Sequence, residues 1–327
     1  MMAALDRKDE FPHDLGGNPG SNESVYFDFY DPSIRVGGFT KIERSGESAV
    51  GRVTTCCFLP DGRVAFTSRQ SSETNQGSFD SPGVEVDVVR PLEEVALAFR
   101  GEVAIPDEPR DGASWEGLSN GKLSVPAEVD MNFAAAAPVY VGRTHGSFGG
   151  GEKGVPRGSY HQFVTVMGQI RVDNELWLVE GHGLRSHTWG AAQRQSLYQR
   201  RITAGAGPTF GFALWWEGDE SGVTGQDGFL WDGTSLHSVD ESEVRSIWAG
   251  TAAHPDSLDV EVCSGDARIR GQGRMAALMV LREGDSSNGH QLAQGLARWT
   301  FEDGRVGYGV AEYGDALVDG VPAGTGL

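Results

Sequence analysis

The chain has 327 residues, 27 Lys and Arg against 46 Asp and Glu, and a formal net charge of -19. Polyanionic partners need a surplus of Lys and Arg to neutralise phosphates, so nucleic acid is excluded and an anionic membrane surface is disfavoured, whereas an uncharged apolar ligand is indifferent to this field. The length exceeds that of one typical domain, and two domains of about 100 to 200 residues each are expected.

Residues 1–24 read as a flexible N-terminal segment, polar and acidic, broken by Pro12, Pro19 and several glycines, and without the apolar stretch of a signal peptide. Turn chemistry then dominates. Asp-Gly begins at 61, 111, 227, 232, 303 and 319, and Asn-Gly at 120 and 288, the dipeptides best suited to tight hairpins. The runs 53–59 and 63–69 around Pro60-Asp61-Gly62, and 296–301 and 305–311 around Glu302-Asp303-Gly304, are rich in β-branched and aromatic residues and read as two hairpins. Asp61-Gly62-Arg63-Val64 followed by Phe66 recurs as Asp303-Gly304-Arg305-Val306 followed by Tyr308, the pattern of an internal duplication, against which stands chance recurrence of a common turn.

Cys56, Cys57 and Cys263 have neither a zinc spacing nor an even disulfide framework, and are expected to be buried thiols in a reducing cytoplasm. No apolar run approaches the roughly 20 residues that span a bilayer, so stable membrane insertion is not expected. Residues 91–99, opening on Pro91 with Glu93 and Glu94 in the first turn, are the best short helix candidate, with strand as the alternative. Asp130 and Asn132 alternate with Val129, Met131 and Phe133, a strand whose polar face is read as facing water. The stretch 142–159 carries His145, Ser147, Pro156 and five glycines from Gly149 to Gly158, and reads as a linker or a lid. The domain boundary is placed there, giving 25–150 and 151–327.

The most informative stretch is 160–194. Alternation puts Val164, Val166, Ile170 and Val172 on one face of a first strand and His161, Phe163, Thr165, Met167 and Gln169 on the other. In a second strand Leu176, Leu178, Glu180, His182 and Leu184 oppose Trp177, Val179, Arg185, His187 and Trp189. Ionisable groups recur on faces that otherwise carry aliphatic or aromatic ones. A polar-decorated apolar cavity inside a barrel meets both needs, the alternative being charges paired at a barrel rim. His187 and Trp189 share a face, an imidazole beside an indole suited to protonation chemistry. Phe212, Leu214 and Trp216 alternate with Ala213, Trp215 and Glu217, a strand that is doubly buried or forms an aromatic wall.

The segment from Ser159-Tyr160-His161-Gln162 to Gly181-His182-Gly183-Leu184-Arg185-Ser186-His187-Thr188-Trp189-Gly190 resembles the signature of the AttH-like and carotenoid 1,2-hydratase-like superfamily. Members carry Tyr-Glu-Gln, a strand pair, then Gly-x-Gly-x-Arg-Asp-His-Ser-Trp-Gly. Similar runs lie at 22–27, 37–39, 60–63, 127–130 and 307–314. The resemblance implies an all-β fold of two lipocalin-like (calycin) barrels packed together with few short helices, a hydrophobic substrate and chemistry without a cofactor. His187, Trp189 and Arg185 match the family's His, Trp and Arg. Ser186 stands where the family has Asp and His161 where it has Glu, so the family's acids are absent at both positions. A hydroxyl cannot replace a carboxylic acid in alkene protonation, which leaves His187, His161, Glu180, Glu217, Asp219 or Asp130 as proton donors.

Metalloprotease, serine-hydrolase elbow and phosphate-loop motifs are lacking, and Gly205-Ala206-Gly207 and Gly271-Gln272-Gly273 do not fit a dinucleotide site. No cofactor and no metal are expected, a His161, His182 and His187 cluster being the remote metal alternative. The expected protein is a cytoplasmic monomer or homodimer that hydrates, isomerises or cyclises a terpenoid or polyketide-like molecule, as a hydro-lyase or as an isomerase or pericyclase. His187, Trp189, Arg185, His161 and Tyr160 are the candidate catalytic residues. Trp177, Glu180, His182, Trp216, Phe212 and Tyr308 are the candidate binding residues. The rival reading is a ligand carrier or an accessory protein of a natural-product pathway.

Overall fold

The computed structural model describes residues 5–15, 20–46, 51–71, 77–110, 112–114, 124–142, 158–191, 196–248, 254–284 and 287–325. The chain is all-β. Its strands are, in order, β1 (Ser21–Asp31), β2 (Val36–Ser45), β3 (Gly51–Phe58), β4 (Val64–Ser71), β5 (Val84–Arg90), β6 (Glu94–Ala104), β7 (Ala113–Ser114), β8 (Ser124–Ala135), β9 (Tyr140–Val141), β10 (Gly158–Val172) and β11 (Glu175–Ala191). There follow β12 (Tyr198–Gly205), β13 (Gly211–Asp219), β14 (Gly222–Trp231), β15 (Leu236–Ser238), β16 (Glu241–Trp248), β17 (Pro255–Ser264), β18 (Ala267–Glu283), β19 (His290–Phe301), β20 (Val306–Val318) and β21 (Val321–Pro322). Helical structure among the described residues is limited to two 3-10 turns, Arg7–Glu10 and Gly207–Thr209, and no helix is long and apolar enough to cross a membrane.

Two compact units result, one of residues 1–57, 66–103 and 124–194, the other of 58–65, 104–123 and 195–327. In the first, β1-β2-β3-β4-β6-β8-β10-β11 follow one another as hydrogen-bonded neighbours and β11 pairs back onto β1, which closes an eight-stranded barrel. Closure leaves no open edge in the ring. In the second unit the order is β15-β14-β13-β12-β20-β19-β18-β17-β16, with β21 on β20 and β7 on β18. Its core is packed by Ile202, Phe212, Leu214, Trp299, Phe301 and Tyr313.

The two hairpins expected from Asp-Gly have the same bonding. Leu59 N–H donates to Arg63 O at 2.9 Å and Gly62 N–H to Leu59 O at 3.0 Å, while Phe301 N–H donates to Arg305 O and Gly304 N–H to Phe301 O, both at 2.9 Å. Asp61 and Asp303 each accept from the backbone N–H two residues on, at 3.0 Å. Gly62 and Gly304 both sit at positive φ, 89° and 86°.

Three expectations are corrected. The helix candidate 91–99 is a turn running into β6, because Val95, Leu97 and Phe99 are buried with period two rather than 3.6. The boundary expected at 150/151 does not separate the units: β10 pairs with β8 and β11 with β1, so the first unit continues to residue 194. The N-terminal segment 1–24 is not wholly outside the fold, since β1 begins at Ser21 and a capped 3-10 turn spans Arg7–Glu10. The linker or lid read at 142–159 lies outside the described residues except for Gly142, Gly158 and Ser159, as do Asp111 and Asn120.

Candidate active site

The register of four neighbouring strands gathers polar groups on the inner face at one end of the barrel. Residues directly opposite in an antiparallel pair share a face. Arg44 of β2 lies opposite Glu23 of β1, Glu23 opposite Trp189 of β11, His187 opposite Tyr160 of β10, and Arg185 opposite Gln162. Glu23, Tyr160, Gln162, Arg185 and His187 are all buried. Gly158, opposite Trp189, leaves room for the indole, which a Cβ there would strike.

Glu23 is the centre of the first cluster. Its Oε1 accepts from His187 Nε2 at 2.9 Å, from His13 Nδ1 at 2.8 Å and from His13 N–H at 2.9 Å, and its Oε2 from Arg44 Nη1 at 2.6 Å. Burial alone raises the pKa of this carboxyl, but the hydrogen bonds from His13 and His187 outweigh it and hold Glu23 at about 2. An ionised carboxylate only accepts, so the nitrogen of His187 facing it carries the proton. The other nitrogen, Nδ1, is buried and has no hydrogen-bond partner. Such orphaned buried groups are rare and call for a functional or structural reason.

Aromatic rings enclose this imidazole. Phe79 and Tyr160 meet it edge-on at centroid distances of 5.2 and 5.6 Å, and Trp189 lies 4.9 Å away. His13 stacks on Trp189 at 4.2 Å and 12°. His187 is 0% exposed and does not project into bulk solvent.

Glu10 is the centre of the second cluster. Its Oε1 accepts from Tyr160 Oη at 2.6 Å and from Arg185 Nη1 at 2.7 Å, and its Oε2 from Leu92 N–H at 2.7 Å. Arg185 also donates through Nε and Nη2 to Gln162 Oε1, at 2.8 and 2.6 Å. Burial first, then the neighbouring Glu10, raises the Tyr160 hydroxyl well above its ordinary pKa, so its proton stays in place.

His187, Trp189, Arg185 and Tyr160 are thus brought together, whereas the other sequence candidates are not. His161 bonds Ser186 at 2.8 Å on the opposite face of the sheet from Tyr160 and His187. His182, of the opposite parity to His187 in β11, is half-buried, and burial lowers its pKa. The three-His cluster therefore does not assemble. Glu180 is exposed and offers its backbone N–H to Asp31, while Trp177 is half-buried on a hairpin whose Leu178 is 71% exposed. Trp216, Phe212 and Tyr308 belong to the second unit; Phe212 packs edge-on against Trp299 at 5.7 Å as a core residue rather than a cavity wall. Glu217 and Asp219 also belong to that unit, and Asp130 pairs with Arg100.

Sequence reasoning missed Glu10, His13, Glu23, Arg44, Gln162 and Phe79. Glu23 had a signal, an acid sharing strand parity with Val25, Phe27 and Phe29. His13, Glu23 and His187 place three potential ligand atoms within 4.8 Å. However, two of their separations, 2.8 and 2.9 Å, are hydrogen-bond distances, and Arg44 already occupies the carboxylate. The set fits a hydrogen-bonded cluster better than a metal site.

A family model described as a domain of unknown function, DUF7064, matches residues 6–316. Among curated proteins none matches. Similar solved structures include the AttH candidate NE1406 of Nitrosomonas europaea, with 12% identity over 98% of this chain and 97% of that one and a TM-score of 0.60. Kievitone hydratase of Nectria haematococca has 10% identity, 96% and 92% coverage and a TM-score of 0.58. CghA, also solved with Sch210972, has 10% identity, 92% and 89% coverage and a TM-score of 0.55. The fold of this chain is that AttH-like, lipocalin-type fold, as its sequence motifs implied.

Proposed function

Since this chain belongs to the DUF7064 family, whose domain has no established function, we propose that it is an enzyme that hydrates, isomerises or cyclises a hydrophobic small molecule without a cofactor, and that His187 moves the proton. The observation that carries this reading is the asymmetry of the buried imidazole: Nε2 is fixed on ionised Glu23, while Nδ1 has no partner. A carboxylate behind one ring nitrogen fixes the tautomer and orientation of the ring and leaves the other nitrogen for chemistry. Unprotonated Nδ1 takes a proton from water or from an acidic carbon; the imidazolium gives one back, and Glu23 stabilises it. Phe79, Tyr160 and Trp189 supply an apolar, cation-tolerant wall. The shared fold with kievitone hydratase and with CghA, a protein solved with a small molecule bound, supports this class of substrate and of reaction.

The test begins with solvent extraction of the purified protein and mass spectrometry of co-purified molecules to give the substrate class. Turnover in deuterium oxide then reads proton transfer, with deuterium expected at carbon. His187→Ala is expected to lower kcat by about 10² to 10⁴-fold, the usual contribution of a positioned acid or base, with an unchanged fold. If that variant alters affinity alone, the protein is a carrier.

A further inference from the structure

The contacts of Glu10 form a carboxylate receptor whose occupant is the chain itself. The fully buried Arg185, the Tyr160 hydroxyl and the Leu92 backbone N–H converge on one carboxylate. The receptor is held rigid from behind. Gln162 Oε1 grips the guanidinium through two of its nitrogens, and the Gln162 amide nitrogen donates to Leu92 O at 3.1 Å and Ala137 O at 2.9 Å. Leu92 itself sits at φ 64°, in the left-handed region disfavoured for a residue with a side chain. That strained residue presents its N–H to the carboxylate and its carbonyl to Gln162. Preorganisation of this kind characterises binding sites.

Something anionic has to sit here, because a buried guanidinium without a counter-charge is strongly destabilising. The occupant belongs to no strand. It ends a four-residue 3-10 turn, Arg7–Glu10, whose backbone bonds, Asp9 N–H to Asp6 O and Phe11 N–H to Lys8 O, reach only to the adjoining residues. Arg185 and His187 lie two residues apart on one face of β11, about 6.5 to 7 Å along the strand, and the Tyr160 ring lies 5.7 Å from the Arg185 guanidinium and 5.6 Å from the His187 ring. A ligand whose carboxylate replaced that of Glu10 would bring atoms a few bonds away within reach of His187 Nδ1.

We propose that this receptor anchors an apolar substrate bearing a carboxylate, and that Glu10 is an intramolecular stand-in which the substrate displaces. The catalytic meaning of this subsite rests on the reading of His187 given above, but its binding test involves no turnover, so the two fail separately. A tethered carboxylate competes at an effective concentration in the millimolar range. Removing its charge therefore strengthens binding of an external carboxylate.

The experiment uses the full chain and three probes, 4-phenylbutyrate, its neutral isostere 4-phenylbutyramide, and formate, titrated calorimetrically into the wild type and Glu10→Gln. Phenylbutyrate is expected to bind Glu10→Gln at least 10-fold more tightly than the wild type, with the amide unchanged between the two. In the wild type, saturating phenylbutyrate is expected to raise deuterium uptake by the backbone amides of residues 6–11, with His13 remaining on Glu23. Equal affinity of the two phenyl probes for Glu10→Gln overturns the proposal, as does equal affinity of phenylbutyrate for both proteins. Binding without release of residues 6–11, binding of formate alone, or no binding by Glu10→Gln overturns it too. Should Glu10→Gln fail to fold, the exchange measurement on the wild type decides.

Discussion

A carboxylate with four donors around it stays ionised where a lone charge would be expelled, and Glu23 is in that position. Its folded-state pKa of about 2 lies below the ordinary glutamate value of 4.5. The group therefore stabilises the native state above pH of about 4.5, and the contribution fades as the pH falls towards about 2. The size of the shift corresponds to a few kcal/mol, on the order of 3. Glu23→Gln is expected to lose about 2 to 3 kcal/mol at pH 7 and to show a flatter stability profile between pH 5 and 3, as read from urea midpoints. An unchanged profile would mean that the carboxylate is not the buried anion described. At this scale the sequence was legible where strand alternation governs: His187, Arg185 and Trp189 share a parity and meet at one place, with Tyr160 opposite His187. His161 and Glu180 were misplaced because parity alone does not say which face is inward. Glu10 and His13 were illegible, since a short irregular segment has no period to betray what it packs against.

Elements were read best where turn chemistry is strict. Asp61-Gly62 and Asp303-Gly304 were placed in hairpin turns by composition, and both turns close with the same hydrogen bonds. Positive φ at Gly62 and Gly304 makes a side chain unfavourable at either position. Gly62→Ala and Gly304→Ala are each expected to cost about 1 to 2 kcal/mol, nearly equally, in denaturant unfolding. A large inequality would show that the turns differ in more than sequence. Residues 91–99 were misjudged because Pro91 and two glutamates mimic a helix start, while the buried alternation of Val95, Leu97 and Phe99 decides the strand.

At the scale of the whole molecule, the charge of -19 opposes compaction through self-repulsion. Salt relieves that repulsion by screening exposed like charges that lie more than about 10 Å apart at 0.1 M. The melting temperature is expected to rise as NaCl goes from 10 to 150 mM, in differential scanning calorimetry; a fall would show that attractive surface pairs outweigh the net charge. The all-β class was legible, because turn dipeptides and alternation recur along the length of the chain. The division into units was not, since a Gly-rich run marks a break in regular structure without saying which strands pair across it. In the event β10 and β11 complete the barrel that β1 begins.

The proposed chemistry requires that Glu23 hold the proton of His187 on Nε2 and leave Nδ1 to react. Long-range 1H–15N correlation spectra of the full chain with 15N-labelled histidine, assigned with His187→Ala, read this directly. A protonated Nε2 at position 187 is expected, with that signal perturbed in Glu23→Gln. A ring protonated on Nδ1 with a bare Nε2 would contradict it.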